Sequence, residues 1–138
     1  VIVILGILAT LALPKLTGQI EGARAAEAMA MFGAIKRAAD SCYDGTSNLT
    51  FCDTFSELGI TPPAAGALFT YQSLAPSATE LHIEAARGAN FICMQFSPTA
   101  NPQTTFGTSA GSPYKAAIVK TTVGTIADAT CVAAPWPR

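Results

Sequence analysis

Charge is scarce in this 138-residue chain: Asp, Glu, Lys and Arg make up 12% of it, and eight basic against nine acidic residues leave a net charge of −1. A chain so balanced sets up no field to hold nucleic acid, so no specific nucleic-acid binding is expected. Histidine is scarcer still. His82 stands alone, which excludes a histidine-rich metal site and weakens any Ser/His or Cys/His catalytic scheme; on a strand it is expected to be exposed. No C-x-x-C spacing is present for zinc or thiol redox work. The phosphate-cradling G-x-x-x-x-G-K-[ST] and the nucleophile motif G-x-S-x-G are both missing, and the stretch around Asp44, Ser47 and Asn48 lacks the closing Glu of a calcium loop. The expectation is therefore no enzyme, no cofactor and no metal.

Apolar surface, by contrast, is plentiful. Half of the residues are hydrophobic, which excludes disorder and is a high share for a free soluble monomer. The length suits one globular unit with an attached helix rather than two domains. Cys42, Cys52, Cys93 and Cys131 are even in number and read as disulfides, which places the folded part outside the cytoplasm. Four cysteines allow three pairings. The nearest-neighbour pairing, Cys42–Cys52 and Cys93–Cys131, is expected because each bridge then staples one region.

The apolar residues are concentrated at the start. From Val1 to Leu13 only Gly6 and Thr10 interrupt the run, and no charge occurs before Lys15. A helix that is apolar on every side belongs in a core or in lipid. This run alone spans about 20 Å of the roughly 30 Å hydrocarbon core, so further apolar residues are expected before Val1. Beyond Pro14 the composition favours helix and the pattern becomes one-sided. Ala28, Phe32, Ile35, Ala39 and Cys42 fall on one face of a 3.6-residue period, while Arg24, Glu27, Lys36 and Arg37 lie largely off it. One end is surrounded by something apolar, and the other packs a single face on a domain. Pro14 costs such a helix about 3 kcal/mol, and Gly6, Gly18 and Gly22 soften it further. Gly45 and the turn-forming run 44–48 are expected to end it.

After the helix, Thr54 followed by Glu57 fits a capping box, with Gly59 as a stop and Pro62-Pro63 beyond, so a short helical turn is expected at 55–58. Strand-type segments then follow at 68–74, 79–85, 90–96 and 116–122. Alternation in TELHIEA puts Leu81, Ile83 and Ala85 on one face and Glu80, His82 and Glu84 on the other, so an antiparallel sheet is expected with one side on the helix and the other toward water. The stretch 97–115 reads as an exposed loop. Asn48-Leu49-Thr50 matches the N-glycosylation sequon in a loop expected to be exposed, making Asn48 a candidate modification site.

The opening stretch VIVILGILATLALPKL resembles the type IV pilin and pseudopilin superfamily: a hydrophobic run with G-I-L-A, a Pro eight residues after the Gly, and an uninterrupted passage into an amphipathic Ala-rich helix. The resemblance implies an α+β pilin fold. In it a long N-terminal helix, apolar and Pro-interrupted in its first half, packs by its second half on a C-terminal antiparallel sheet. It divides the chain into a helix 1–42, of which 1–22 protrudes and 23–42 packs, and a globular head 43–138 whose C-terminal tail a disulfide ties to the sheet. The family's members begin as membrane-anchored precursors, are cut by a prepilin peptidase, and are assembled by dedicated machinery into helical homopolymers. Their apolar helix halves bundle in the filament core, and the segment between the Gly and the Pro loses regular hydrogen bonding. Carried over, the filament-core residues are Val1, Ile2, Val3, Ile4, Leu5, Gly6, Ile7, Leu8, Leu11, Leu13 and Pro14, with unwinding mapped onto 6–14. The family's processing site, N-terminal aromatic residue and nearby Glu correspond to positions before Val1, so no residue here takes that Glu's role.

The expected function is that of a major structural subunit of an extracellular type IV pilus-like filament, held in the inner membrane before assembly and serving adhesion, surface attachment, motility or DNA uptake. Two alternatives remain open at this point. One is a pseudopilin of a type II secretion system. The other is a secreted binding domain for which the apolar run is only an anchor.

Overall fold

A computed structural model describes residues 2–64, 66–101, 103–115 and 118. One helix, α1 (Ile2–Thr46), runs without a break through Pro14 and, at 1.5 Å per residue, is about 68 Å long. It ends where Ser47 adopts a left-handed conformation, φ 55°, and donates its backbone N–H to the carbonyl of Tyr43 at 2.6 Å. That single bond closes the last turn. The helix thus continues past the expected limit at residue 42: Gly45 is helical, and the left-handed residue is Ser47.

Four strands follow: β1 (Thr70–Ser77), β2 (Glu80–Arg87), β3 (Asn90–Phe96) and β4 (Thr104–Thr108). They form an antiparallel sheet in the order β1-β2-β3-β4. The long helix on an antiparallel sheet makes this an α+β fold. Between β2 and β3 the two-residue turn Gly88-Ala89 opens with Gly88 at φ 61°, a sign that residues with a side chain rarely adopt. The register of β1 against β2 shifts between Leu74 and Ser77, around Pro76, which has no N–H to give the ladder; an edge strand accommodates such an irregularity.

The core lies between one face of α1 and one face of the sheet. Ala28, Phe32, Ile35 and Ala39 are fully buried, Ala25 joins them, and the spacing that marked them as a stripe is what brings them onto the sheet. They meet Leu81, Ile83 and Ala85 of β2 and Ile92, Met94 and Phe96 of β3 in one cluster, residues that oppose one another in register as Ile83 to Met94 and Ala85 to Ile92. Phe32 sits at the centre. Its ring is 6.4 Å from Tyr71, edge-on, and 6.4 Å from Phe106. Lys36 stays at the margin, its ammonium 5.1 Å from the centre of the Phe96 ring and 2.8 Å from Asp40.

The connection from helix to sheet is closed by covalent and capping interactions. Cys42 is bonded to Cys52, across a short 3-10 helix (Leu49–Phe51) that buries Leu49. Thr54 and Glu57 exchange the reciprocal bonds of a capping box: the Thr54 hydroxyl accepts the Glu57 N–H at 3.3 Å, and the Glu57 carboxylate accepts the Thr54 N–H at 3.2 Å. The other end of that turn closes with Ile60 N–H to Phe55 carbonyl and Gly59 N–H to Ser56 carbonyl, Gly59 at φ 66°.

Three expectations need correction. The stretch 97–115 is not all loop, because Thr104–Thr108 pairs with β3 and turns Phe106 and Thr108 inward. Strand 116–122 is not supported where it can be seen: Lys115 and Ile118 are helical, with Ile118 N–H donating to the Tyr114 carbonyl at 3.0 Å. Ser112 and Pro113 start that turn, the Ser112 hydroxyl accepting from the Tyr114 N–H as an N-cap does; the rest of 116–122 lies outside the described residues. Third, the outer face of the sheet is only partly open to water, with Gln72 exposed and Glu80, His82 and Gln95 half-buried. Glu84 is 7% exposed, and Cys93, opposite it in register on the same face, is 0% exposed and disulfide-bonded. Cys131, the partner expected for it, lies outside the described residues.

The seam makes a prediction about unequal costs along one helix. Phe32→Ala should lower stability by about 3–5 kcal/mol, whereas Leu8→Ala, exposed on the same helix, should stay within about 0.5 kcal/mol. Urea unfolding of the detergent-solubilised monomer measures both.

Candidate functional site

The first part of α1 has nothing of its own chain to rest on. Ile2, Val3, Ile4, Leu5, Ile7, Leu8, Leu11, Leu13 and Leu16 are all more than half exposed, from 85% at Ile2 to 56% at Leu16. Together they present on the order of 1,000 Å² of apolar surface, against a few hundred for the largest patch on an ordinary monomer. Such a surface needs an apolar environment or a partner. Val1, the first of the expected core residues, lies outside the described residues. Gly6 has open space where a Cβ would be, so within the single chain its lack of a side chain relieves no contact. Pro14 is carried within the continuous helix; its missing N–H deprives the Thr10 carbonyl of its helical partner. Thr10 and Thr17 turn their hydroxyls back onto the helix, donating to the carbonyls of Ile7 at 2.8 Å and Leu13 at 3.4 Å.

Leu16 and Ile20 extend the apolar surface past Pro14 and are absent from the expected core set. Their spacing from Leu13, three and then four residues, was a visible signal. With them, the exposed apolar stretch from Ile2 to Ile20 is about 28 Å long, close to the roughly 30 Å of a hydrocarbon core. The helix is long and apolar enough to cross a membrane, and none of its most hydropathic window is buried. Lys15 is its only charge before Glu21, and the flexible stem of a lysine lets the ammonium reach water from an apolar surface.

The apolar stretch ends at a charged collar that sequence reasoning missed. Glu21 pairs with Arg24 one turn on and lies 3.9 Å from Arg87 at the end of β2, while Arg87 donates to the Tyr114 hydroxyl at 3.2 Å. These residues are far apart in sequence, and only the fold gathers them. From Ala25 onward the helix is buried on its sheet-facing side.

The other candidates sit elsewhere. Asn48 caps the 3-10 helix, its side-chain oxygen accepting the Thr50 N–H at 2.9 Å and the Thr50 hydroxyl at 2.7 Å. His82 is partly buried on the outer sheet face rather than exposed. Among the described residues no three His, Cys, Asp or Glu side chains converge to hold a metal. Comparison with known proteins found no matching family model, no similar curated protein and no similar solved structure.

Burial holds the His82 imidazole below its ordinary value, against an opposing pull from Glu80. A depressed pKa means that the fold favours the neutral ring, so its contribution is fully present above pH 6.5 and is lost as the pH falls further. Melting temperature should therefore drop as the pH goes from about 6.5 to 5, and His82→Gln should flatten that part of the profile. A thermal unfolding series across this range, wild type against variant, checks it.

Proposed function

We propose that this chain is the structural subunit of an extracellular type IV pilus-like filament. In this reading the helix is anchored in the inner membrane before assembly and is then buried among the helices of identical subunits. The observation that carries the reading is the single helix with two environments: an exposed stretch of about 28 Å, apolar on all sides to Leu13 and carried on by Leu16 and Ile20, continuous with a stretch buried on one face against a sheet. The α+β arrangement with its Cys42–Cys52 bridge is compatible with a pilin-like head, and the resemblance in 1–16 supplies the rest. Ile2, Val3, Ile4, Leu5, Ile7, Leu8, Leu11 and Leu13 are proposed as core-filling residues, extended by Leu16 and Ile20. Prepilin peptidase and an assembly machinery are the implied partners. The role is structural and requires no catalysis.

In a lipid bilayer the apolar stretch is solvated by acyl chains, and in a bundle by like helices. Neither leaves it in water, which is the physical requirement its exposure sets. Negative-stain imaging of material sheared from producing cells tests the reading; filaments containing this chain are expected, and only membrane-bound monomer would overturn it.

A shortened chain beginning at Gly22 separates filament subunit from anchored binding domain. It gives up the exposed apolar stretch and one partly exposed ion-pair partner, Glu21, worth under about 1 kcal/mol, so it should fold, remain monomeric and melt within a few degrees of the parent. It should neither join filaments nor support their function. Full activity from this truncation would favour the binding domain. Sedimentation velocity and co-assembly with full-length chain provide the measurements.

A further inference from the structure

Two faces of α1 match each other at one fixed offset. On one, Leu8, Leu11, Lys15 and Gly18 follow at spacings of three, four and three; on the other, Ile20, Ala23, Glu27 and Ala30 repeat those spacings 12 positions later. All eight are exposed in the single chain. Lys15 is the only charge before Glu21, and neither it nor Glu27 makes an ion pair among the described residues. The outward side of the packed half is also unusual for a solvated helix, since Ala23, Ala26 and Ala30 occupy positions where long polar side chains normally stand.

We infer that in the filament, and resting on the filament reading, the face of one copy carrying Leu8, Leu11, Lys15 and Gly18 docks on the face of a second copy carrying Ile20, Ala23, Glu27 and Ala30, with Lys15 paired to Glu27. The two helices run parallel, displaced by 12 residues or about 18 Å. Leucines then lie over Ile20 and Ala23, and Gly18 against Ala30 lets the backbones approach closely. Twelve residues also turn a helix by about a third of a revolution beyond whole turns. The two faces therefore point in different directions, and each copy can use both at once. Such a contact joins unlike surfaces and does not close on itself, so it propagates as an open filament.

The other carboxylates of the helix fit less well. Glu21 already faces Arg24 and Arg87, and Asp40 already holds Lys36. An offset that brought Lys15 to Glu21 would set Gly18 against Arg24. One that brought it to Asp44 would lay Leu8 on Arg37 and Leu11 on Asp40. Only the Glu27 register puts apolar on apolar and charge on opposite charge.

The test uses the full chain in the producing cell, with sheared filaments quantified by sedimentation and imaging. Lys15→Glu and Glu27→Lys should each cut the yield about tenfold, since each sets two like charges against each other in a buried contact, and the K15E/E27K double variant should restore most of it. Filament yields that are equal for all four proteins would leave Lys15 to lipid headgroups and overturn the pairing, as would a double variant no better than the singles. Where charge variants fail to reach the membrane, the double substitution Leu11→Cys with Ala23→Cys decides. It should give disulfide-linked oligomers in filaments that neither single substitution gives, and their absence overturns the register. Wild-type cells without filaments would instead overturn the filament reading itself.

Discussion

The packing of one helix face on one sheet face is the constraint on which the rest depends. A four-stranded meander with one apolar side cannot stand in water uncovered, and Ala28, Phe32, Ile35 and Ala39 provide the cover. Small alanines on either side of Phe32 let the helix lie close to β2 and β3, while the ring fills the space between Tyr71 and Phe106. Because the helix is continuous, fixing its second half also fixes where the first half points. The apolar stretch is therefore projected away from the head as a rod, with the Glu21, Arg24, Arg87 and Tyr114 collar marking the level at which head contacts stop. The Cys42–Cys52 bridge secures the opposite end of the same seam, where the chain leaves the helix.

Much of this was legible because both periodicities are strong. The stripe from Ala28 to Cys42 has the helical period, and Leu81, Ile83 and Ala85 have the strand period; each buries the residues it singles out, Cys42 only in part. The misreadings share a cause. Thr104–Thr108 carries a single large apolar residue, Phe106, between Pro-rich and Ser-rich stretches, so its strand character comes from pairing with β3, which local pattern does not reveal. Around Ile118, a short apolar run does not distinguish helix from strand, although Ser112-Pro113 was a helix-start signal in plain view. On the outer sheet face, polarity suggested water, but Glu84 and Cys93 are buried; alternation tells which residues share a face and not what lies over it. For the candidate site the run up to Pro14 was plain. Its continuation through Leu16 and Ile20 lies within the segment 1–22 expected to protrude, but neither residue stood in the core set, since Lys15, Thr17 and Gln19 break up the apolar run there.

That unbroken passage bears on what Gly6 and Pro14 are for. In the single chain the segment between them is regular helix, although Thr10 lacks its hydrogen-bond donor and Gly6 has nothing packed against it. A helix weakened at two points yet intact in isolation is poised to respond to its surroundings. A change of conformation on assembly requires contacts that favour the altered form over the regular one. If 6–14 unwinds in a filament, the neighbouring helices must supply that preference, and the low intrinsic cost at these positions decides where it is expressed.

The same reasoning separates what would hold the helix in a membrane from what would draw it into a bundle. Leucine gains little in moving from acyl chains to other leucines, because lipid is as apolar as the side chains it would leave. The exposed run from Ile2 to Ile20 thus explains why the helix avoids water without explaining why it would prefer its own kind. A lysine distinguishes the two environments, since its charge costs about 2.5–3.5 kcal/mol at the centre of a membrane helix, and less near an end where it can snorkel. A bundle that offers a carboxylate removes that cost, and small residues at matching heights add close packing that lipid does not provide. If the proposed filament contact holds, Lys15, Gly18, Glu27 and Ala30 would govern the choice between membrane and filament, and the large apolar residues only the escape from water.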